Sequence, residues 1–360
     1  MRIGSHGACQ FAISAETGGF DGEGILTNPP ACKVGRHIDG WRAYRVGGHQ
    51  RRAGPRQTAK GSRGATRLPF RYPNRQIAGV SAHFEQVAPG IRRLLAPNPS
   101  AFTFTGTQTY LVGEGEVAVI DPGPDDSAHI EALSSALDGE QVTAILVTHT
   151  HRDHSPASRP LAAATGAPIV GCAPFAISDD GPRADASFDF DYAPDRVLAD
   201  GETIGGRGWT LEAVATPGHT SNHLCFALTE QKALFTGDHV MGWSTTIVSP
   251  PDGDMAAYMA SLDKLLARDD SVYYPTHGPA ITDPKAHVRA LIAHRRGREA
   301  QILAKLEAGQ GDIEAMVPSL YTDTDPQLFP AAARSVLAHL IDLESRGRVR
   351  RIGDSWSLAE

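Results

Sequence analysis

The chain has 360 residues, 41% of them hydrophobic and 21% charged, with a formal net charge of −7, a globular composition that excludes a polar, disordered polymer. No run approaches the ~20 consecutive apolar residues of a membrane span, and the N-terminal segment lacks the basic start and apolar stretch of a secretory signal. Cys9, Cys32, Cys172 and Cys225 show no C-x-x-C spacing, so they are expected as isolated reduced thiols in a cytoplasmic protein with no membrane partner.

Residues 1–75 are rich in Gly and Arg and carry 13 basic against 4 acidic residues, whereas the remainder carries 21 against 37. With no period of 2 or 3.6, segment 1–75 is expected as a disordered or mis-assigned N-terminal extension, with an RNA-binding tail or an organellar transit peptide as sharper readings. The folded part is expected to begin near Ile77. The acidic body argues against broad polyanion binding.

Beyond that point strands and helices alternate, which gives an α/β class. Residues 107–124 read as two strands around a Gly-Glu-Gly turn, and 126–138 as a helix capped by Asp126 or Ser127. A short buried strand at 143–150 runs into a histidine cluster. A helix at 159–166 and a strand at 167–172 follow, then strands near 196–199, 209–216, 223–228 and 233–236. An amphipathic helix at 256–269, its methionines read as core, precedes a strand at 271–278. From about Pro284 the pattern becomes three helices (285–309, 312–321 and 330–347) and a hairpin at 348–360 turning at Gly353-Asp354. Three helices and a two-stranded wing resemble a winged-helix module, a fold used for nucleic-acid binding and also for packing or dimerisation.

The segment THTHRDHSPA, 148–157, holds His149, His151, Asp153 and His154 at a strand's C-terminal edge, where open α/β sheets bind ligands. His149 and His151 can point the same way from an extended segment, while Asp153 and His154 can face a second point nearby. Imidazole and carboxylate together are ligands for Zn²⁺ and related ions. The bland alternative is a polar loop or helix-capping histidines. Chance yields H-x-H-x-D-H in a chain of this composition roughly once in a thousand. Three more strand-then-turn segments carry candidate ligands: His219 in TPGHT, Asp238 in FTGDHV and His277 in YPTHGP. Each alone is more often a surface group; their joint occurrence behind the first motif is not read that way.

These motifs resemble the metallo-β-lactamase fold superfamily over roughly residues 77–285. Asp121 in VIDPGP matches the family's first motif, where the aspartate braces the metal loop without being a ligand. The resemblance implies an αββα sandwich at 76–284, followed by the small winged-helix-like domain at 285–360. It implies one divalent ion on His149, His151 and His219, and a second on Asp153, His154 and His277. Asp238 would bridge the two. Zinc is the expected metal, with manganese or iron also suiting the ligands. Two such cations would share and ionise a water, with Asp153 and Asp238 as the catalytic carboxylates and activity falling in acid.

His223 is open between orienting a ligand and facing a helix, and His239 is expected to point elsewhere. Arg152, Ser244, Thr245 and Thr246 are open between groove lining and ordinary loop positions. The tract 237–265 and the terminal module resemble the β-lactamase-like protein 2 branch, which implies an endoribonuclease-like phosphodiesterase acting on single-stranded RNA. The wing residues Arg346, Arg348, Arg350 and Arg351 and the run His294-Arg295-Arg296-Gly297-Arg298 favour that reading. A thioesterase or glyoxalase-II-like acyl hydrolase, with a small ester or thioester substrate, is the alternative. A metal-dependent redox or binding protein is the third.

Overall fold

The computed structural model describes residues 84–176 and 188–360. The segment 1–75 and the expected start near Ile77 lie outside the described residues, as do Cys9 and Cys32. Seven strands form the first sheet: β1 (Phe84–Ala88), β2 (Ile91–Leu95), β3 (Gln108–Glu114), β4 (Glu116–Ile120), β5 (Gln141–Val147), β6 (Ile169–Gly171) and β7 (Arg196–Val197). They lie in space in chain order, antiparallel as far as β4 and parallel from there. The second sheet has the order β12-β11-β10-β9-β8, from β8 (Thr203–Gly206), β9 (Trp209–Ala215), β10 (Leu224–Leu228), β11 (Ala233–Gly237) and β12 (Val272–Pro275). Its single parallel pair is β11 with β12.

Parallel neighbours need a crossover, and the sequence supplies helices for it. Helix α1 (Ser127–Ala136) links β4 to β5, α2 (Ser158–Thr165) links β5 to β6, and α3 (Met255–Ala267) links β11 to β12. Asp126 caps α1 by accepting from the His129 amide, and Asp254 caps α3 by accepting from Ala257. Gly166 closes α2 in the left-handed conformation.

Strand β10 shows why the sheets stack. Leu224, Phe226 and Leu228 join the core shared with the first sheet, while Cys225 and Ala227 join the core beneath α3. A strand buried on both faces must be apolar throughout, as this one is. The result is an αββα sandwich. Cys172 and Cys225 are buried free thiols.

Strands β1, β2 and β8 go beyond the sequence expectation. Strand β2 reads Ile-Arg-Arg-Leu-Leu, and its charges spoil the apolar pattern. Here Arg93 pairs with Glu85 across β1 at 2.6 Å, and Arg92 reaches Glu140 at 2.7 Å. Strand β8 contains two glycines, which weaken any strand signal.

The C-terminal part consists of α4 (Pro284–Glu307), α5 (Ile313–Leu320), α6 (Phe329–Ser345) and the hairpin β13 (Val349–Ile352) with β14 (Ser355–Leu358). Asp283 caps α4, with proline at its first helical position. At 1.5 Å per residue α4 is about 36 Å long. Its first half packs on α3 through Val288, Leu291 and Ile292. Its second half enters a separate core through Ile302 and Leu306, with α5, α6 and Trp356 of the wing. The expected boundary at 284/285 falls at the start of this helix, and the helix itself ties the two cores together. Among the described residues no helix is long and apolar enough to cross a membrane.

Candidate metal centre

The C-terminal ends of β5, β9, β11 and β12 meet at one edge of the sandwich. Asp121, just after β4, organises that edge. It is buried, and its φ of 48° is a left-handed conformation that Asp tolerates better than most residues. Its carboxylate accepts from the Thr148 amide at 2.8 Å, the Thr148 hydroxyl at 2.9 Å and the Thr276 hydroxyl at 3.0 Å. It also accepts from His154 Nδ1 at 3.0 Å. One side chain thus fixes the loop after β5 and the loop after β12, without itself belonging to either group of converging donors described next.

Two such groups form. His149, His151, His219 and Asp238 each offer a donor atom, and these atoms lie within 4.8 Å of one another. Asp153, His154 and His277 do the same. All seven residues singled out from the sequence are therefore brought together.

The outer nitrogens of the imidazoles decide which way the inner ones face. His219 donates from Nδ1 to the Ile247 carbonyl at 2.7 Å, and His277 from Nδ1 to the Gly106 carbonyl at 3.2 Å. The Thr148 hydroxyl spends its proton on Asp121, so it accepts from His149 Nδ1 at 3.0 Å. Nε2 of His149 and of His219 then carry bare lone pairs. They approach His151 Nδ1 at 2.9 and 3.2 Å. At least two lone pairs converging on one spot is an arrangement that suits a cation.

The second group makes the same point with charge. His277 Nε2 stands 3.2 Å from Asp153 and 3.3 Å from Asp238, and His154 Nε2 stands 3.3 Å from Asp153. His154 Nε2 and Asp238 Oδ1 make no hydrogen bond despite their burial. Burial and the neighbouring imidazoles push His149 and His151 well below the usual histidine range. His154 moves the other way. Burial alone would lower it, yet Asp153, Asp238 and Asp121 together raise it well above the usual range. Burial opposes ionisation of Asp153 too, but His154 and His277 hold it well below the usual carboxylate range. Buried carboxylates need positive charge beside them, and these residues suit divalent cations in both number and type.

Several further residues support these donors. His223, left open in the sequence, is buried and accepts the Asp238 amide at Nε2, 3.2 Å away, while its Nδ1 faces the Thr216 hydroxyl at 2.9 Å. It orients the backbone of Asp238. Gly237 permits this: a Cβ there would sit 2.7 Å from His223 Nε2. Thr107 donates to Asp153 at 3.1 Å, and Asp189 accepts from Ser155 in the metal loop at 2.9 Å. Thr107 and Asp189 lie far from the motifs in sequence, so only the fold could reveal them. His239 does turn elsewhere, its ring 4.8 Å from that of Tyr258.

A cavity of about 200 Å³ opens onto His151, Asp153, His219, Asp238 and His277. Ser244, Thr245 and Thr246 line it, whereas Arg152 is exposed and does not. Trp243, stacked on Phe104 at 4.9 Å, supplies apolar wall. The C-terminal part supplies further wall: Arg295 and Arg298 of α4, Tyr321 after α5, and Ala331, Ala332 and Ser335 of α6.

Residues 102–277 match the family model described as metallo-beta-lactamase superfamily, and residues 313–356 match that of the beta-lactamase associated winged helix domain. The beta-lactamase-like protein 2 homolog of Drosophila melanogaster is 34% identical over 72% of this chain and 89% of its own length. An atrochrysone carboxyl ACP thioesterase of a Cryptosporiopsis species is 33% identical over 64% of this chain and 67% of its own. The crystal structure of a metallo-beta-lactamase family protein from Thermus thermophilus matches with a TM-score of 0.60 at 25% identity, covering 76% of this chain and all of that one. With its αββα layers, its edge of converging histidines and carboxylates, and these likenesses, the chain belongs to the metallo-beta-lactamase superfamily and is a hydrolase with an appended winged-helix domain.

Proposed function

We propose that the chain hydrolyses thioesters of small acyl groups at a two-metal centre. One ion is assigned to His149, His151 and His219, the other to Asp153, His154 and His277, and Asp238 to both. Zinc is the assignment, and manganese or iron suit the same donors. Divalent ions held there would lower the pKa of water and draw negative charge from a carbonyl oxygen. The protein's own residues do the rest. The outer nitrogens of His149, His219 and His277 are pinned, so the donor atoms hold their positions without reorganisation. Asp153, with 13% of its side chain exposed against 7% for Asp238, is the carboxylate more open to the cavity. It takes the proton of the attacking water and returns it to the departing thiolate as the C–S bond breaks.

The observation that carries the substrate class is the cavity. Helices of the winged module line it together with Trp243, and its volume of about 200 Å³ suits a compact acyl group. A thioesterase among the relatives supports the same reading. Cleavage of single-stranded RNA, the first expectation from the sequence, loses part of its support. Arg346 is held by Glu299 and Asp342, and Arg350 by Glu360, while Arg295 and Arg298 turn inward.

A substrate panel tests this: an acyl thioester, a phosphodiester, single-stranded RNA and a lactam, each with the metal-loaded protein and Asp238→Ala. Thioester turnover that Asp238→Ala abolishes is expected. RNA cleavage without thioester turnover would overturn the substrate class. Active protein free of metal would overturn the centre.

A further inference from the structure

The run His294-Arg295-Arg296-Gly297-Arg298 divides between the two faces of α4. Arg296 is exposed, while Arg295 and Arg298, three residues apart, share the face toward the cavity and both line it. Arg295 is only 3% exposed. It donates to the Thr246 carbonyl and lies over the Tyr258 ring, 5.1 Å from its centroid. Arg298 donates to the Leu320 carbonyl and to Gln301, and lies 3.9 Å over the Tyr321 ring. The contacts are with carbonyls, an amide and aromatic faces, and among the described residues no carboxylate pairs with either arginine. The Nε of each is buried without a hydrogen-bond partner.

The carboxylates of the cavity, Asp153 and Asp238, belong to the metal centre, and the histidines beside the arginines add no charge. His294, also lining the cavity, is lowered to about 4 by burial and by the two arginines. His339 on α6 is lowered to about 3 by burial, then by the same arginines. Two guanidinium groups in a wall of neutral histidines, with Ser335 beside them, form a cationic patch without a counter-ion. Burial of such charge is costly unless something anionic meets it. The patch is also joined to the metal centre through Thr246. Its carbonyl accepts from Arg295, and its hydroxyl donates to the Asp238 carbonyl at 2.6 Å.

We propose that Arg295 and Arg298 form an anion subsite in the same cavity as the metal centre, taking a carboxylate or phosphate borne by the substrate. Resting on the thioesterase reading, the preferred substrate is then an acyl thioester whose far end is anionic. A planar guanidinium suits either oxyanion through paired hydrogen bonds, and Arg295 is already oriented by Thr246 and Tyr258.

Binding to the metal-loaded protein tests the subsite without turnover. Glutarate and 4-phosphonobutyrate each carry a second anionic end that pentanoate lacks, while all three can offer one carboxylate to the metals. Calorimetry should show at least about tenfold tighter binding of one dianion than of pentanoate. The better dianion identifies which oxyanion the site takes. Arg298→Gln should shrink that gap, and Arg295→Met should shrink it further if the variant folds. A parallel arm compares kcat/KM for glutaryl and pentanoyl thioesters, and their ratio should fall in the same variants. Dianion preference without turnover of either thioester leaves the subsite standing and overturns the thioesterase reading. Equal binding of pentanoate and both dianions, or a gap that survives Arg298→Gln intact, overturns the subsite.

Discussion

The metal centre and the arginine wall of α4 share one cavity and treat buried charge in opposite ways. At the centre, the outer nitrogens of His149, His154, His219 and His277 are each held by a neighbouring residue. What remains unmet there points inward. At the wall, buried Arg295 and half-buried Arg298 have carbonyls and rings for company. The contrast teaches how to separate a group buried for architecture from one buried for a ligand. Asp121 and His223 are satisfied within the protein; His154 Nε2, Arg295 Nε and Arg298 Nε are not.

The comparison breaks most visibly at Asp238. Asp238→Ala should cut turnover on the order of 10³-fold and lower bound metal, read by elemental analysis. Turnover within a few-fold of the parent would dissolve the inward-facing half of the contrast. Asp121→Ala is next. Removing a support that touches no ion should weaken metal affinity by about 10–100-fold, measured by competition with a chelator. An effect equal to that of Asp238→Ala would mean that Asp121 acts as a ligand.

His339 sharpens the other side. It is neutral in the fold down to about pH 3, but the unfolded chain protonates it near 6.5. The unfolded state therefore binds an extra proton between those values, and stability is lost as pH falls through that window. The contribution is on the order of 1.4 kcal/mol per pH unit. In urea titrations from pH 7 to 4, His339→Leu should flatten the acid slope by about one proton. An unchanged slope would show that His339 is paired or solvated in the native state.

The smallest effect belongs to the exposed ion pairs. Arg350→Ala and Arg351→Ala remove contacts to Glu360 and Asp354 on the wing surface. Stability should move by less than about 0.5 kcal/mol, with thioester turnover as in the parent. A steep loss of RNA cleavage in these variants would return the wing to a role in substrate binding.

Much of this was written locally in the chain. Gly-Glu-Gly between two apolar runs gave the β3–β4 hairpin, and H-x-H-x-D-H behind a buried strand marked the edge where the donors meet. The strand-then-turn pattern around His219, Asp238 and His277 was legible for the same reason: β-structure ends abruptly, and glycine marks the end. What stayed hidden depends on long-range approach. Strands β1 and β2 hold charged residues whose partners lie on neighbouring segments, so no local window reads as a strand. The inward turn of Arg295 and Arg298 was equally unreadable, because helical spacing gives the shared face but not what that face meets. Thr107 and Asp189 become supports of Asp153 and Ser155 only once distant loops are side by side.

The four hydrogen bonds on Asp121 bear on how the protein matures. Thr276 reaches that carboxylate across 155 positions of sequence, and His277 follows it directly. A chain still emerging from the ribosome holds the H-x-H-x-D-H loop long before it owns the residue that completes the second set of donors. Completion of the second donor set therefore waits until β12 has docked, whereas the first set is already in the chain once Asp238 is made.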